Sequence, residues 1–305
     1  MKPPNQSHIV IAGAARDIGK TLAKQVKVFD RAFRSFKKIS YLIVESDSTD
    51  DTVALMESLQ QTVQDFGFIS EGVLEPLLPL RTQRIAHARA VALEHCLNSA
   101  GLATVDYVAV ADWDGVNLSL SPQAVLSCWE AGGWEVACAN QPGGYYDVWA
   151  LRHRTWCPGD CWEEYRKLCV DFGDATAHQI AIAARRIRIP RTHALVDVDS
   201  AFGGLAIYQA AAYFSSRYKM PECDSAETCE HVEFHRGIKA AGGRIVINPA
   251  LVNIESLDDL LPRFSARRTA SALKRLVGDV SARKRNESAL NRLIDEQSPV
   301  EFHAR

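Results

Sequence analysis

The chain has 305 residues, of which 47% are apolar and 24% charged, with 18 Gly and 12 Pro. This is the profile of a folded globular protein and excludes a disordered or collagen-like chain. The 35 Lys and Arg against 37 Asp and Glu leave a net charge of −2, which excludes a surface built throughout for nucleic acid. The charge is uneven, however. Leu261 to Arg305 hold 10 basic and 5 acidic residues, so residues 1–260 carry −7. No stretch approaches the roughly 20 apolar residues that span a bilayer, and Met1 to His8 is polar; the sequence predicts a cytoplasmic protein. The eight cysteines fall outside Cys-x-x-Cys spacing. Cys157 and Cys161, the nearest pair, suit a metal or a disulfide by spacing, but buried thiols are the favoured reading in a reducing compartment.

In chain order, His8 to Ala12 reads as a strand ending at Gly13, followed by a helix over 17–29. Ile39 to Glu45 is a second buried strand, stopped by the polar run 46–51, in which Ser48 or Thr49 is placed to cap a helix through Leu59. A helix spans Arg81 to Asn98, and Val105 to Ala111 is a third strand that ends at Asp112-Trp113-Asp114-Gly115. Beyond these come a helix from Ser121-Pro122 to Ala131, a strand over Trp134 to Ala139, an aromatic strand or turn over Tyr145 to Leu151, and helix over 159–186. Phe202 to Tyr208 is a strand entered through two glycines, Glu230 to Gly242 a helix, and Arg244 to Asn248 a strand stopped by Pro249. Buried strands alternating with helices predict an α/β fold, a Rossmann-like, mostly parallel sheet flanked by helices. Ligands in such sheets bind at the carboxyl ends of the strands, so the three early loops should converge.

Gly13 to Thr21 imitates two phosphate-binding loops and matches neither. A P-loop needs Gly, four residues, then Gly-Lys-Thr, and the position that must be Gly is Ala14. A dinucleotide turn needs its middle Gly where Asp17 stands, and a carboxylate there repels pyrophosphate. Asp112 and Asp114 are a stronger signal. Two carboxylates two residues apart at a strand end are placed to share one divalent cation and bridge it to a diphosphate. An Asp-x-Asp alone also occurs as a turn.

The ordered set of Arg16, the Glu45-Ser46 acidic loop, Arg84-Ile85-Ala86-His87-Ala88-Arg89, Asp112-Trp113-Asp114, Ala137-Cys138-Ala139, Tyr146 to Arg152, Cys229-Glu230, Gly242 and Asn248-Pro249 covers about residues 8 to 255. In this order the chain resembles the GT-A glycosyltransferases, and more closely the fungal capsule-associated mannosyltransferases and their bacterial relatives. Three places depart from that pattern: Asp-Trp-Asp-Gly stands for Asn-Asp-Val at the metal loop, Arg89-Ala90 for Arg-Asn, and Glu230-His231 for the Glu-Asp of inverting enzymes. The last departure points to a retaining, mannosyl-type reaction.

The resemblance implies a nucleotide-sugar donor held by Ala12, Arg16, Glu45, Arg84, Arg89, Asp112, Trp113, Gly203 and Gly204, with Mn2+ or Mg2+ on Asp112, Asp114 and His231 (or His235), and catalytic acids at Glu230 and Asp147. Glu45 would face ribose or base. Of Arg84 and Arg89, five residues apart and so on different helix faces, one would reach the diphosphate and the other brace an acidic loop. Tyr145, Tyr146, Asp147 and Trp149 form a candidate sugar platform, and Gly203-Gly204 would let backbone approach the donor sugar. The acceptor would be a glycan or a lipid-linked hydroxyl. Two rival readings are a catalytically idle glycan-binding module and an NAD(P) oxidoreductase. Residues 1–260 are read as the GT-A domain and 261–305 as a basic amphipathic helical tail, which packs on the body or docks its arginines on anionic lipid at the inner membrane face.

Overall fold

A computed structural model describes residues 1–102, 104–220 and 227–254. One eight-stranded sheet runs through it, in the order β3-β2-β1-β4-β7-β5-β8-β6. β1 (His8–Ala15), β2 (Lys38–Glu45), β3 (Phe66–Ser70) and β4 (Tyr107–Ala111) pair in parallel, as does β5 (Val136–Asn140) with β8 (Ile245–Val252). β7 (Leu205–Gln209) runs antiparallel between β4 and β5, and β6 (Val196–Val198) antiparallel at the edge. The expected mostly parallel α/β sheet is therefore observed, with two antiparallel strands in it.

Both faces of the sheet are covered, which is why its strands read as continuous apolar runs. Alternate β1 residues feed two cores: Val10 and Ala12 enter one, Ile9 and Ile11 the other. On the first face lie α3 (Arg81–Asn98), α5 (Cys161–Ala181), the short α6 (Ala210–Phe214) and α7 (Glu230–Ala240). The second face holds α1 (Gly19–Ala32), α2 (Thr52–Thr62) and α4 (Pro122–Ala131). α1 docks through Leu22, Val26 and Phe29. α4 starts as its sequence predicts, with the Ser121 hydroxyl accepting from the Ala124 N–H at 3.1 Å and Pro122 in the first turn.

Several sequence expectations shift. Pro249 does not stop the last strand: β8 continues to Val252, because the β5–β8 register slips between Cys138 and Asn140 and the Asn140 amide donates to the Pro249 carbonyl at 3.0 Å. The segment Tyr145 to Leu151 is turn and loop, not strand. α2 is not capped by Ser48 or Thr49. Asp50 instead accepts from the Thr52 N–H at 3.0 Å, while Ser48 and Thr49 bond to the Asp17 loop. α5 is broken at Gly173, whose φ is +75°. β3 and β6 have no counterpart among the expected strands; five and three residues leave too short a pattern to read. The seven described cysteines are free thiols, Cys157 and Cys161 buried among them. Among the described residues no helix is long and apolar enough to cross a membrane. The predicted tail helices and the boundary at residue 260 lie outside the described residues.

The antiparallel direction of β7 positions the glycine pair. The amino end of β7 lies at the edge where β1, β2 and β4 have their carboxyl ends, so Gly203-Gly204 arrive beside Asp112, whose N–H donates to the Gly204 carbonyl at 2.9 Å.

Candidate active site

At that edge a cleft of about 290 Å³ opens between the loops after β1, β2 and β4 and the first turns of α3. Its walls include Arg16, Asp17, Asp47, Arg84, Arg89, Asp112 and Asp114, so the predicted convergence of strand-end acids takes place. The β1 and β2 loops are locked together. The Thr49 N–H donates to Asp17 at 2.7 Å, the Asp17 N–H to the Ser48 hydroxyl at 3.0 Å, and the Gly19 N–H to Asp50 at 3.1 Å. The last bond places the chain's own carboxylate on the amino terminus of α1, where a dinucleotide or P-loop ligand would put phosphate. A Cβ on Gly19 would sit 1.9 Å from an Asp51 side-chain oxygen, so a larger residue there would displace that carboxylate.

Asp47, not Glu45, is the acid that reaches the cleft wall. Both Glu45 oxygens are turned into the loop, accepting from the Ser48 N–H at 2.9 Å and the Ser70 hydroxyl at 2.6 Å. Asp47 has φ +59°, a left-handed conformation that Asp tolerates. One of its oxygens accepts from the N–H groups of Leu74 and Glu75, at 2.8 and 2.9 Å, and the other faces Arg84 at 3.5 Å. Burial raises this carboxyl, but those N–H groups, the Ser46 hydroxyl and Arg84 outweigh it and hold it below its ordinary value. Arg84 also donates to the Leu78 and Pro79 carbonyls, at 2.6 and 2.9 Å. It is the arginine that braces an acidic loop.

Arg89 is committed inside the core instead. It is 4% exposed, donates to Asp112 at 3.1 Å and contacts both Glu230 and His231, with its guanidinium carbon 4.8 Å from the Phe202 ring centre. Burial alone would lower its pKa, but Glu230 and Asp112 more than offset this and keep it charged. The His231 ring stacks on Phe202 with centroids 3.8 Å apart. Burial, then Arg89 and His235, keep it neutral far below its ordinary range. Asp112 is pushed up to about 7, by burial first and then by Asp114, Asp147 and Glu230, against the pull of Arg89.

Asp112 and Asp114 fit a hard divalent cation as far as the chain alone supplies it. Each has one oxygen engaged, Asp112 by Arg89 and Asp114 by the Val116 N–H at 3.1 Å. Two carboxylates completed by substrate phosphate is an arrangement Mg2+ favours. Among the described residues no three His, Cys, Asp or Glu are grouped to hold a metal. His231 does not join the aspartates: its Nε2 faces the Arg89 cation, and a metal cannot share that lone pair. His235 is also committed, to the Ser200 and Tyr208 hydroxyls at 3.0 and 2.8 Å.

Other predicted residues stand elsewhere than expected. Trp113 borders the cleft but is 1% exposed and packs edge-on against Phe29 at 5.1 Å. Ala12 is sealed in the core inside β1, and Ala14 and Ala15 line the cleft instead. Tyr145 is fully buried and accepts from the Phe202 N–H at 2.9 Å; Trp149 is packed against the same core. Tyr145 is therefore core and Trp149 half-buried against it, so the four residues do not present one flat exposed platform. Tyr146 and Asp147 stay half-buried. Asp147 accepts from the Gly203 N–H at 3.0 Å, and burial raises its carboxyl. Gly203 and Gly204 have φ of +71° and +82°, and a Cβ on Gly203 would meet the Ala139 carbonyl at 2.7 Å. What approaches this glycine is the chain itself. Arg16 and Arg81 are exposed at the rim.

Three buried amides have no sequence signal at all. Asn117 donates to the Asp112 and Gly204 carbonyls at 2.9 and 3.0 Å, and Gln141 and Asn253 donate to the Gly203 carbonyl at 3.0 and 2.8 Å. They fix the Asp112–Asp114 loop to the glycine pair.

No family model matches the chain, and no curated protein matches it in sequence. Among solved structures it is similar to the mannosyltransferase PcManGT of Pyrobaculum calidifontis in complex with GDP-Man and Mn2+, at 14% identity and TM-score 0.48, covering 84% of this chain and 59% of that one. It is also similar to S. aureus TarS, residues 1–349, at 15% identity and TM-score 0.44, covering 79% and 58%. A third likeness is to the glucosyl-3-phosphoglycerate synthase of M. tuberculosis, at 12% identity and TM-score 0.37, covering 77% and 65%. The chain spans less than three-fifths of the first two.

Proposed function

We propose that the chain is a GT-A glycosyltransferase that moves a sugar from a nucleotide-sugar donor to a hydroxyl of a glycan or lipid-linked acceptor. The observation that carries this reading is the convergence of the β1, β2 and β4 loops on one cleft with Asp112 and Asp114 in its wall, while Asp50 closes the alternative phosphate site at α1. The nucleoside lies along Arg16 to Ile18, Asp47 and Arg84, and the diphosphate reaches Asp112 and Asp114. Those two carboxylates would hold Mn2+ or Mg2+, which when bound neutralises charge on the departing diphosphate. His231 is not among the ligands.

The donor sugar then lies toward Gly203-Gly204 and Asp147, with Glu230 beyond Arg89. Transfer breaks the bond between the anomeric carbon and phosphate oxygen, forms one between that carbon and the acceptor oxygen, takes the acceptor hydroxyl's proton and releases the nucleoside diphosphate. Glu230, paired with Arg89, is in this reading the acid set against the positive charge developing on the sugar. Asp147, with its carboxyl raised, is the proton acceptor in this reading. Mannose as the sugar and retention of configuration are the finer form of the proposal and rest on the Glu230-His231 departure.

The rivals fare worse on particular residues. The glycan-binding module loses the exposed platform it needed at Tyr145. The oxidoreductase meets the Asp50 carboxylate where pyrophosphate belongs. Titration calorimetry of the full chain with UDP, GDP and their sugars, with Mn2+ or with EDTA, tests the proposal. Metal-dependent nucleotide binding and sugar transfer are expected; NAD(P) binding, or glycan binding without nucleotide, would overturn it.

A further inference from the structure

The solvent side of α1 carries a feature that the cleft does not use. Lys20, Lys24, Lys27 and Arg31 are spaced four, three and four residues apart, so at about 100° per residue they fall within an arc of about 60° along roughly 16 Å of helix. All four are exposed, and exposed Arg34 and Lys37 extend the row past the helix end. The opposite side, with Leu22, Val26 and Phe29, is sealed in the core.

Several other cations find acids, although exposed Arg154, Arg166 and Arg188 also stand outside the ion pairs among the described residues, singly rather than in a row along one helix. Arg152 pairs with Asp160 at 2.7 Å, Lys167 with Glu163 at 2.6 Å, Arg236 with Glu233 at 2.7 Å and Arg244 with Asp197 at 2.7 Å. Among the described residues the ion pairs include none of Lys20, Lys24, Lys27, Arg31, Arg34 or Lys37, although the next residue, Lys38, pairs with Asp65 at 3.1 Å. The acid of α1 itself, Asp30, takes the Tyr41 hydroxyl at 2.7 Å. Like charges four apart on a helix repel. This row persists on a chain whose first 260 residues carry −7, so composition does not explain it.

We infer that the exposed face of α1 docks on a membrane surface bearing anionic phospholipid. The row is straight, as four exposed residues along one helix face, which suits a planar partner. Single-stranded nucleic acid is bound instead by grooves with aromatic groups for base stacking, and the residues flanking this row on its face, Thr21 and Ala23, offer none. The basic segment 261–305 has the wrong charge to cover the row. The apolar side of α1 is committed to the core, so the contact is electrostatic and weakens with salt. Ile18, two residues before Lys20, lines the cleft, and docking therefore brings the cleft mouth beside the lipid.

The test is co-sedimentation of the full chain with phosphatidylcholine vesicles with and without phosphatidylglycerol, in low and high salt. The control is a variant carrying Lys20→Gln, Lys24→Gln, Lys27→Gln and Arg31→Gln, checked for native circular dichroism. The wild-type chain is expected to bind only the anionic vesicles in low salt, and the variant to lose at least about tenfold in partitioning with nucleotide binding in the cleft unchanged. Equal partitioning of variant and wild type would overturn the inference by assigning lipid contact to another region. No vesicle binding, or binding of polyphosphate or single-stranded RNA in its place, would overturn it as well.

Discussion

On the β1–β2 side of the cleft, acids and hydroxyls bond one another across surface loops: Asp17 with Ser48 and Thr49, Asp50 with Gly19 and Thr52, Asp47 with Leu74 and Arg84. On the β7–α7 side the charged groups sit inside the apolar core, with Arg89, Glu230, His231 and His235 all under 9% exposed and walled by Phe202, Tyr208 and Phe234. The first arrangement is a set of separate loop contacts, exposed at Asp17 and Asp50 and buried at Asp47. The second is one interdependent cluster in which removing a partner strands a buried charge. The difference teaches where the cleft is rigid: its β1–β2 side is set by loop hydrogen bonds, its β7–α7 side by core packing.

Breaking the buried side should have the largest effect. Arg89→Ala leaves Glu230 unpaired in the core and is expected to destabilise the fold by about 3–5 kcal/mol, read from urea denaturation. A loss near that of a surface substitution would show the cluster to be hydrated and the contrast false. The same side should make the protein acid-labile. His235 is held down to about 3 and His231 well below 6.5, both by burial first. Below about pH 6.5 the unfolded chain takes protons that the folded chain refuses, so stability falls as pH drops, by up to about 1.4 kcal/mol per unit for each histidine. Stability measured against pH should show this limb, and His235→Gln should flatten it.

On the exposed side the effects should separate from folding. Asp114→Ala is expected to leave stability within about 0.5 kcal/mol while weakening metal-dependent nucleotide binding by at least about tenfold, seen by calorimetry with Mn2+. Unchanged binding would remove the metal role. The smallest effect is expected at the loop lock, where Asp50→Ala should lower stability by about 1 kcal/mol in thermal unfolding and leave sugar-nucleotide binding intact. A larger loss would mean that the β1–β2 side is as interdependent as the other.

The same contrast governs how much is legible in the chain. The strands β1, β2 and β4 are legible because burial on both faces demands unbroken apolar runs, and α3 and α4 because their periodicity and the Ser121-Pro122 start are local. The acids at strand ends follow from those strands. Glu45 and Asp47, two residues apart in one turn, cannot be ranked by sequence: the turn's left-handed φ at Asp47 decides which carboxylate faces the cleft. The aromatics of 145–149 and Trp113 look alike as platform or core, and only the space beneath them separates the two.

By itself, then, the sequence determined a mostly parallel sheet with acids gathered at its carboxyl edge, since both follow from patterns within a few residues. Tertiary structure alone decided that β7 runs antiparallel, and so brings Gly203 and Gly204 to Asp112. It also decided that Arg89 joins Asp112 to Glu230, a contact between residues 141 positions apart. No local pattern encodes such a contact, because its energy comes from desolvating three elements together, which happens only once the core has closed.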